Sequence, residues 1–367
     1  MSFFCLWNPE SPRASGFNRA AIERIGVLPA SMAWLDFLQG RPLPALHSGC
    51  VVRIDSTGKN WAVEKALLER GGRIMGDAAI EVMDVEDPGR ILSSVQYHRG
   101  LCDALQEVEH HFQNARWMQH PADIVEMCDK EVCHARLQAA GVRVPPSLGV
   151  VSGFDDLMAR MDLAGRNRVF VKLCHGSSAS GSVALERSGS RIQAFSTAKR
   201  SESPQGTVLH NWRSVSRYEE LRDIRKLVDA VCRHRAHVEL WLPKAGWHGR
   251  RFDVRIVVIG GKSRHVVARL AEGPFTNLQT GAVRAPADEL LAHLGKARFA
   301  ELCSEAERAM CCYPRSLYGG VDVMIDAQRG LPHVLEVNAF GDLLPGVHFK
   351  GLDTYTWEID QVSSTGT

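Results

Sequence analysis

Two short apolar runs near the C-terminal end, GVDVMID (320–326) and HVLEVNAF (333–340), carry charge where a buried strand normally carries none. A buried carboxylate and amide two residues apart, as in Glu336 and Asn338, are costly unless something pairs with them. The intervening Gln-Arg-Gly-Leu-Pro reads as a hairpin turn. Strand side chains alternate faces, so Asp322 shares a face with Met324, and Glu336 with Asn338. With the turn centred near Arg329, Asp322 comes opposite Glu336. Facing carboxylates disfavour that pairing, and a divalent cation between them reverses the sign. Oxygen-only ligands of this kind suit Mg²⁺, which takes one or two carboxylates plus phosphate oxygens and water. The plainer reading is polar groups turned to a solvated loop.

The run RFDVRIVVIGGKSRHVVARL (251–270) repeats the logic with opposite charge. A turn at Gly-Gly-Lys-Ser places Arg255 opposite Arg269, which is unfavourable unless an anion lies between them. Asp253 either orients Arg255 or competes with that anion. A one-residue slip in register would turn these side chains to the other face. Lys172 ends the strand-like RVFVKL (168–173), just before a loop of small residues from Gly176 to Gly181. Such loops let backbone N–H groups approach phosphate oxygens, and a lysine adds a point charge. Lys130 opens a helix. The Gly-Gly-Lys-Ser turn (260–263) mimics the end of a P-loop, but position 256 is Ile and no helix follows.

At 367 residues the chain exceeds one ordinary core, and four segments are expected. Residues 1–118 alternate helix and strand as a small α/β unit, residues 119–236 carry the small-residue loop, residues 237–352 are strand-rich, and 353–367 reads as a frayed tail. The polar stretch 198–222 reads as irregular and exposed. Helices are expected to stop at Gly26, at Gly71-Gly72 and at Gly141, and one long helix to span the run that ends at Cys311-Cys312. A formal charge of +2 without a long basic block argues against a dedicated nucleic-acid binder. The opening MSFFCLW lacks the basic region and apolar run of a secretory signal, and no stretch of about twenty apolar residues could span a bilayer; a cytoplasmic protein is expected. Ten cysteines form no Cys-x-x-Cys pair, and Cys128, Cys133 and His134 read as ordinary core residues rather than a zinc site.

In order and spacing, Asp129-Lys130, FVKLCHGSSASG, VELWL, DVRIVVIGG, ARLAEGPFTNLQTGA, GVDVMID and VLEVNAFGDLLPG resemble the ATP-grasp superfamily, in its ribosomal-protein glutamate ligase and glutathione synthetase branch. The resemblance covers about residues 120–350. It implies an α/β and α+β chain in which two α+β subdomains hold ATP, preceded by a small Rossmann-like domain. It further implies Lys130 and Lys172 on the nucleotide phosphates, and Ser177, Ser178, Ala179, Ser180 and Gly181 as the loop closing over them. Glu239, Leu240, Trp241 and Leu242 would form the adenine hinge; Arg255, Arg269 and Asn277 would act on the transferred phosphoryl group and substrate; Asp322, Glu336 and Asn338 would hold Mg²⁺ or, in its place, Mn²⁺. The segment LPKAGWHG offers no acidic residue for the ribose, which leaves Lys244 with a different part, and Gly341 and Asp342 shape an acceptor-side loop.

The activity implied is ATP-dependent ligation of a carboxylate to an amine through an acyl phosphate, with a metabolite or peptide as acceptor and neither nucleic acid nor membrane as partner. Asp342 is a candidate base, and Arg53, Arg90, His98 and Arg99 are candidates for holding substrate in the first domain. A kinase on the same fold and a non-catalytic ATP-binding regulator are the competing readings.

Overall fold

The structure, a computed structural model, describes residues 1–76, 86–189, 191–203, 206–340 and 344–364. The first sheet is parallel and has the order β2-β1-β3-β4, with β1 (Phe3–Trp7), β2 (Ala30–Ala33), β3 (Val51–Ile54) and β4 (Arg116–Trp117). Its helices are α1 (Pro12–Ile25), α2 (Trp34–Leu38), α3 (Trp61–Met75) and α4 (Ser94–His111). Ser11 caps α1 through the Ala14 N–H, Pro12 opens it, and Gly26 at φ 68° ends it.

Helix α3 does not stop at Gly71-Gly72 but runs on to Met75. Those glycines serve packing rather than termination. A Cβ on Gly71 would lie 1.9 Å from the Gln96 carbonyl oxygen, and one on Gly100 would lie 2.0 Å from that of Leu67. Backbone against backbone leaves nothing flexible to move aside. Gly100→Ala is therefore expected to force α3 and α4 apart and to lower the unfolding free energy by about 1–3 kcal/mol, read from the urea midpoint.

After α5 (Pro121–Met127) and α6 (Lys130–Ala139) comes a second, antiparallel sheet of order β5-β10-β6-β7-β8-β9. It comprises β5 (Ser147–Val151), β6 (Arg168–Leu173), β7 (Val183–Ser188), β8 (Arg191–Ser203), β9 (Gly206–Tyr218) and β10 (Ala236–Leu240), with α7 (Phe154–Leu163) and α8 (Leu221–Cys232) packed on it. Two expectations are corrected here. The stretch 198–222 is a long hairpin, β8 with β9, leading into the start of α8. Its edge position leaves much of it solvated, so it has no apolar alternation to announce it. Strand β10, expected to open the third unit, is wholly buried between β5 and β6 and belongs to the second.

The third sheet is antiparallel, with β11 (Gly246–Trp247) attached to β12 (Arg250–Ile259) and an order of β14-β13-β12-β15-β16. Its other strands are β13 (Lys262–Ala271), β14 (Val283–Pro286), β15 (Tyr318–Ile325) and β16 (Pro332–Asn338). The expected single long helix is two, α9 (Ala287–Leu294) and α10 (Lys296–Cys311), because Gly295 turns the backbone between them at φ 76°.

The expected frayed tail is instead helix α11 (Thr354–Ser364), packed against α1. Tyr355, Ile359 and Val362 bury one stripe of it, and Glu358 is wholly buried 2.5 Å from Arg53. Arg53 also pairs with Asp55 and lies 4.4 Å over the ring of Phe17. It is a structural cation with no exposure, which corrects its candidacy as a substrate group. No described helix is long and apolar enough to cross a membrane.

Candidate functional site

Strands β6 and β10 of the second sheet and β12, β13, β15 and β16 of the third line one cleft of about 740 Å³, partly open to solvent. The hairpin β15–β16 has the register expected of it, Asp322 opposite Glu336. Immediately beyond that pair the register shifts, and Leu335 is the extra residue. A bulge of this kind re-aims side chains, and both Leu335 and Glu336 line the cleft.

The other hairpin departs from expectation. A shift between Val257 and Val258 makes Arg264 the extra residue, so Arg255 faces Val267 and Arg269 faces Asp253. The arginines are diagonal neighbours on one face, and the anion between them is the protein's own. Asp322 accepts from Arg255 Nε at 2.5 Å and from its terminal nitrogen at 3.0 Å, while Arg269 reaches the same carboxylate at 3.1 Å. Burial alone would raise the Asp322 carboxyl, but the two guanidinium groups outweigh it and hold it well below the usual carboxylate range.

Ion pairs of this kind run the length of the cleft. Lys130 Nζ donates to Glu336 at 2.6 Å, and Lys172 donates to Glu239 across adjacent strands. Lys244 donates to Asp253 at 3.1 Å and to Thr276, while Arg269 Nε meets the other Asp253 oxygen at 2.7 Å. Four cations of the cleft (Lys130, Lys172, Lys244, Arg269) thus face four carboxylates (Glu239, Asp253, Asp322, Glu336), and Arg255, paired behind Asp322, adds a fifth positive charge. The excess is positive, in a site where burial lowers the Lys244 ammonium despite Asp253. Low polarity strengthens every charge interaction here, and an anion satisfies the excess.

Asp129 sets the position of Lys130. Its carboxylate caps α6 through the Glu131 and Val132 N–H groups and takes Arg235 at 2.6 Å and His175 at 3.1 Å. Lys130 N in turn donates to the Cys174 carbonyl, which ties the helix start to the end of β6. The following loop is compact. Ser178 and Ala179 take φ of 54° and 57°, Gly181 takes 61°, and Ser180 N donates to the Ser177 carbonyl. Two consecutive non-glycine residues in the left-handed region are costly, and their small side chains limit that cost. Gln279 donates to Ser178 Oγ at 3.1 Å, joining this loop to the turn after Asn277. Of the loop, Ala179 reaches the cleft wall; Ser177, Ser178, Ser180 and Gly181 form the turn behind it.

Leu240 and Leu242 line the cleft, with Phe170, Phe275 and Met324 completing an apolar wall. Trp241 does not join them: its ring packs 5.3 Å from Phe170 and lies under Arg168 at 4.0 Å. Asn277 lines the cleft while its side-chain oxygen caps the short turn Leu278–Thr280. Asn338 Nδ2 donates to the Gly320 carbonyl at 3.1 Å, beside Glu336. Lys244, Thr276, Phe170 and Phe275 are cleft residues that strand alternation and charge pairing did not single out; Lys244 carried a signal in being the nearest cation past the hinge. Asp342 and Gly341 lie outside the described residues.

No family model and no curated protein matches the sequence. Solved structures do match in fold along the whole chain. The ATP-grasp ligase PsnB complexed with a minimal precursor is 15% identical with a TM-score of 0.55, covering 99% of each chain. The macrocyclase MdnC from Microcystis aeruginosa MRC, bound with precursor peptide MdnA, is 10% identical with a TM-score of 0.56, covering 99% of this chain and 100% of that one. N5-carboxyaminoimidazole synthetase from Staphylococcus aureus, complexed with ADP, is 11% identical with a TM-score of 0.51, covering 99% and 77%. This chain therefore has the fold of the ATP-grasp ligase PsnB and of the other structures it matches.

Proposed function

We propose that the chain is an ATP-dependent ligase that joins a carboxylate to an amine through an acyl phosphate, releasing ADP and phosphate. The observation that carries this reading is the cleft's charge pattern, in which an opposed Asp322–Glu336 pair lies among lysines and arginines beside an apolar wall. The wall of Leu240, Leu242, Phe170 and Met324 suits adenine, and Lys130 and Lys172 suit the phosphates. On nucleotide binding each lysine would exchange its carboxylate partner for a phosphate oxygen, which releases Glu336 and Glu239.

The donor set fits Mg²⁺. Glu336 and Asn338 sit two residues apart on one strand, and a carboxylate has about four lone-pair positions, of which the three arginine contacts leave Asp322 one. Bound there, the ion would supply neutralisation of charge on the phosphate oxygens. Arg269 would contact the transferred group, with Arg255 behind Asp322 fixing that carboxylate and adding positive charge. The loop 176–181, already joined to the turn at Asn277–Gly281, would exclude water from the acyl phosphate. Solved relatives in fold support the same class: PsnB has been captured with precursor, Mg and ADP.

Incubation with ATP, Mg²⁺ and a panel of amino acids and short acidic peptides, with hydroxylamine as trap, tests the proposal. The expected result is carboxylate-dependent ADP release with hydroxamate formation. A stable phosphorylated hydroxyl product would instead make the chain a kinase, and nucleotide binding without turnover would make it a regulator.

A further inference from the structure

Behind the lysine-lined floor of the cleft stands a buried histidine that the proposed chemistry does not use. His237, 2% exposed, lies on β10 with Lys172 of β6 directly opposite it on one side and Val150 of β5 on the other. Residues two apart on a strand share a face, so Glu239, the partner of Lys172, projects from the same side of β10 as His237. Directly opposed Cβ atoms are about 5 Å apart. The imidazole is therefore a neighbour of both members of the Lys172–Glu239 pair. On α6, the His134 ring lies 5.1 Å from that of His237, and its Nε2 donates to the Pro145 carbonyl at 2.7 Å. Lys130, one turn before His134, adds a second positive charge nearby.

Both ring nitrogens of His237 are buried without a hydrogen-bond partner among the described residues. A neutral imidazole carries one donor and one acceptor, and buried polar atoms are rarely left unmet. Burial pushes this ring down to about 4; Glu239 opposes that, whereas His134, Lys172 and Lys130 add to it. While Lys172 serves Glu239, the ring is thus neutral at neutral pH. The pair itself is lopsided: the Glu239 side chain is 3% exposed and that of Lys172 17%. An ammonium drawn out to a phosphate leaves a buried carboxylate with no cation, which is strongly unfavourable.

We infer that His237 takes up a proton when a nucleotide phosphate draws Lys172 away from Glu239, the imidazolium then replacing the ammonium as partner of that carboxylate. The proton comes from solvent, and the Lys172 ammonium keeps its own. One positive charge is thereby added to the floor as phosphate charge arrives above it. Of the two groups able to take that proton, an imidazole ordinarily does so about two pH units above a carboxylate. Phosphate oxygens also offset the lysine charges that hold the ring neutral. His237 is a positioning residue: it is not among the residues lining the cleft, and it acts through Glu239 and Lys172. The ring binds its proton more tightly in the complex than in the free chain. The resulting gain in nucleotide affinity is therefore present at low pH and is lost as pH rises through the value in the complex. The inference rests on the nucleotide reading of the cleft.

Calorimetry of AMPPNP with Mg²⁺ on the full chain, in buffers of different ionisation heat, counts the protons exchanged. The nucleotide's own protons are common to every variant and cancel in the comparison. Near pH 6.5, the ordinary imidazole value, the wild-type chain is expected to take up about one more proton per nucleotide than His237→Asn or His237→Gln. Its affinity advantage over them should grow by up to about tenfold for each pH unit lowered. Nitrogen-15 spectra of the wild-type ring decide the point without a variant. Its nitrogens should pass from one protonated and one bare to both protonated when AMPPNP and Mg²⁺ are added. A ring that stays neutral in the complex, or equal proton counts in wild type and both variants, would overturn the inference; uptake that persists in the variants would move the proton to Glu239. Failure of AMPPNP to bind would sink the nucleotide reading and the inference together, whereas binding with equal proton counts sinks the inference alone.

Discussion

Glu336→Gln is expected to reduce Mg²⁺-dependent ADP release at least roughly 100-fold while the protein stays folded, on the scale seen when metal sites lose a supporting group. Glutamine keeps the shape and an oxygen for Lys130 but removes the charge that a hard cation requires. The structural cost is small. Both partners of the 2.6 Å pair are partly exposed, at 20% and 26%, so its loss is worth about 1 kcal/mol or less. The Lys130 ammonium, which burial disfavours and Glu336 restores above its ordinary range, should become easier to deprotonate. The circular dichroism spectrum serves as the control and should be unchanged, and metal-free AMPPNP should bind no more weakly, since Lys130 no longer has to leave a carboxylate. Near-normal Mg²⁺-dependent turnover would remove Glu336 from the metal site.

That prediction came from a register legible in the sequence, and its neighbour shows where legibility ends. Asp322 and Glu336 pair as expected because the extra residue Leu335, lying between the turn and the pair, makes up the one position by which the paired strands next to the turn would otherwise miss that register. Arg255 and Arg269 do not, because the chain turns at Gly260-Gly261, with Ile259 already paired to Lys262, and the one extra residue at Arg264 makes up only part of the difference from a turn over Gly-Gly-Lys-Ser. Nothing in the alternation of RHVVARL marks one residue as extra; packing of Arg264 against Trp357, nearly a hundred residues on, accompanies it. Helix α11 was hidden for a related reason. The segment 353–367 read as a frayed tail, yet Glu358 is buried by a partner, Arg53, from the first sheet. The cations of the cleft could be named one by one, but Thr276 and Phe275 enter it only through the tertiary path of the β13–β14 connection.

Arg255→Ala should separate two roles that the geometry superimposes. Arg255 does not line the cleft; it stands behind Asp322, 8% exposed, in a bidentate pair. Removing it leaves Asp322 with Arg269 as its guanidinium partner, and a broken buried pair costs about 3 kcal/mol or more. The urea midpoint should fall accordingly. Nucleotide affinity should stay within a few-fold, because Lys130, Lys172 and the apolar wall are untouched. Turnover should fall by about 10³-fold if the Asp322–Arg255–Arg269 unit carries charge stabilisation for the transferred group. Arg255→Lys sharpens the comparison, since a lysine keeps the charge but not the fork. If the fork's orientation of Asp322 matters, the lysine variant should regain stability only in part and turnover hardly at all. If charge alone matters, both should recover together. Loss of AMPPNP binding in Arg255→Ala would mean that Arg255 holds the site together rather than serving phosphoryl transfer, and the proposed division of labour between the two arginines would fall with it.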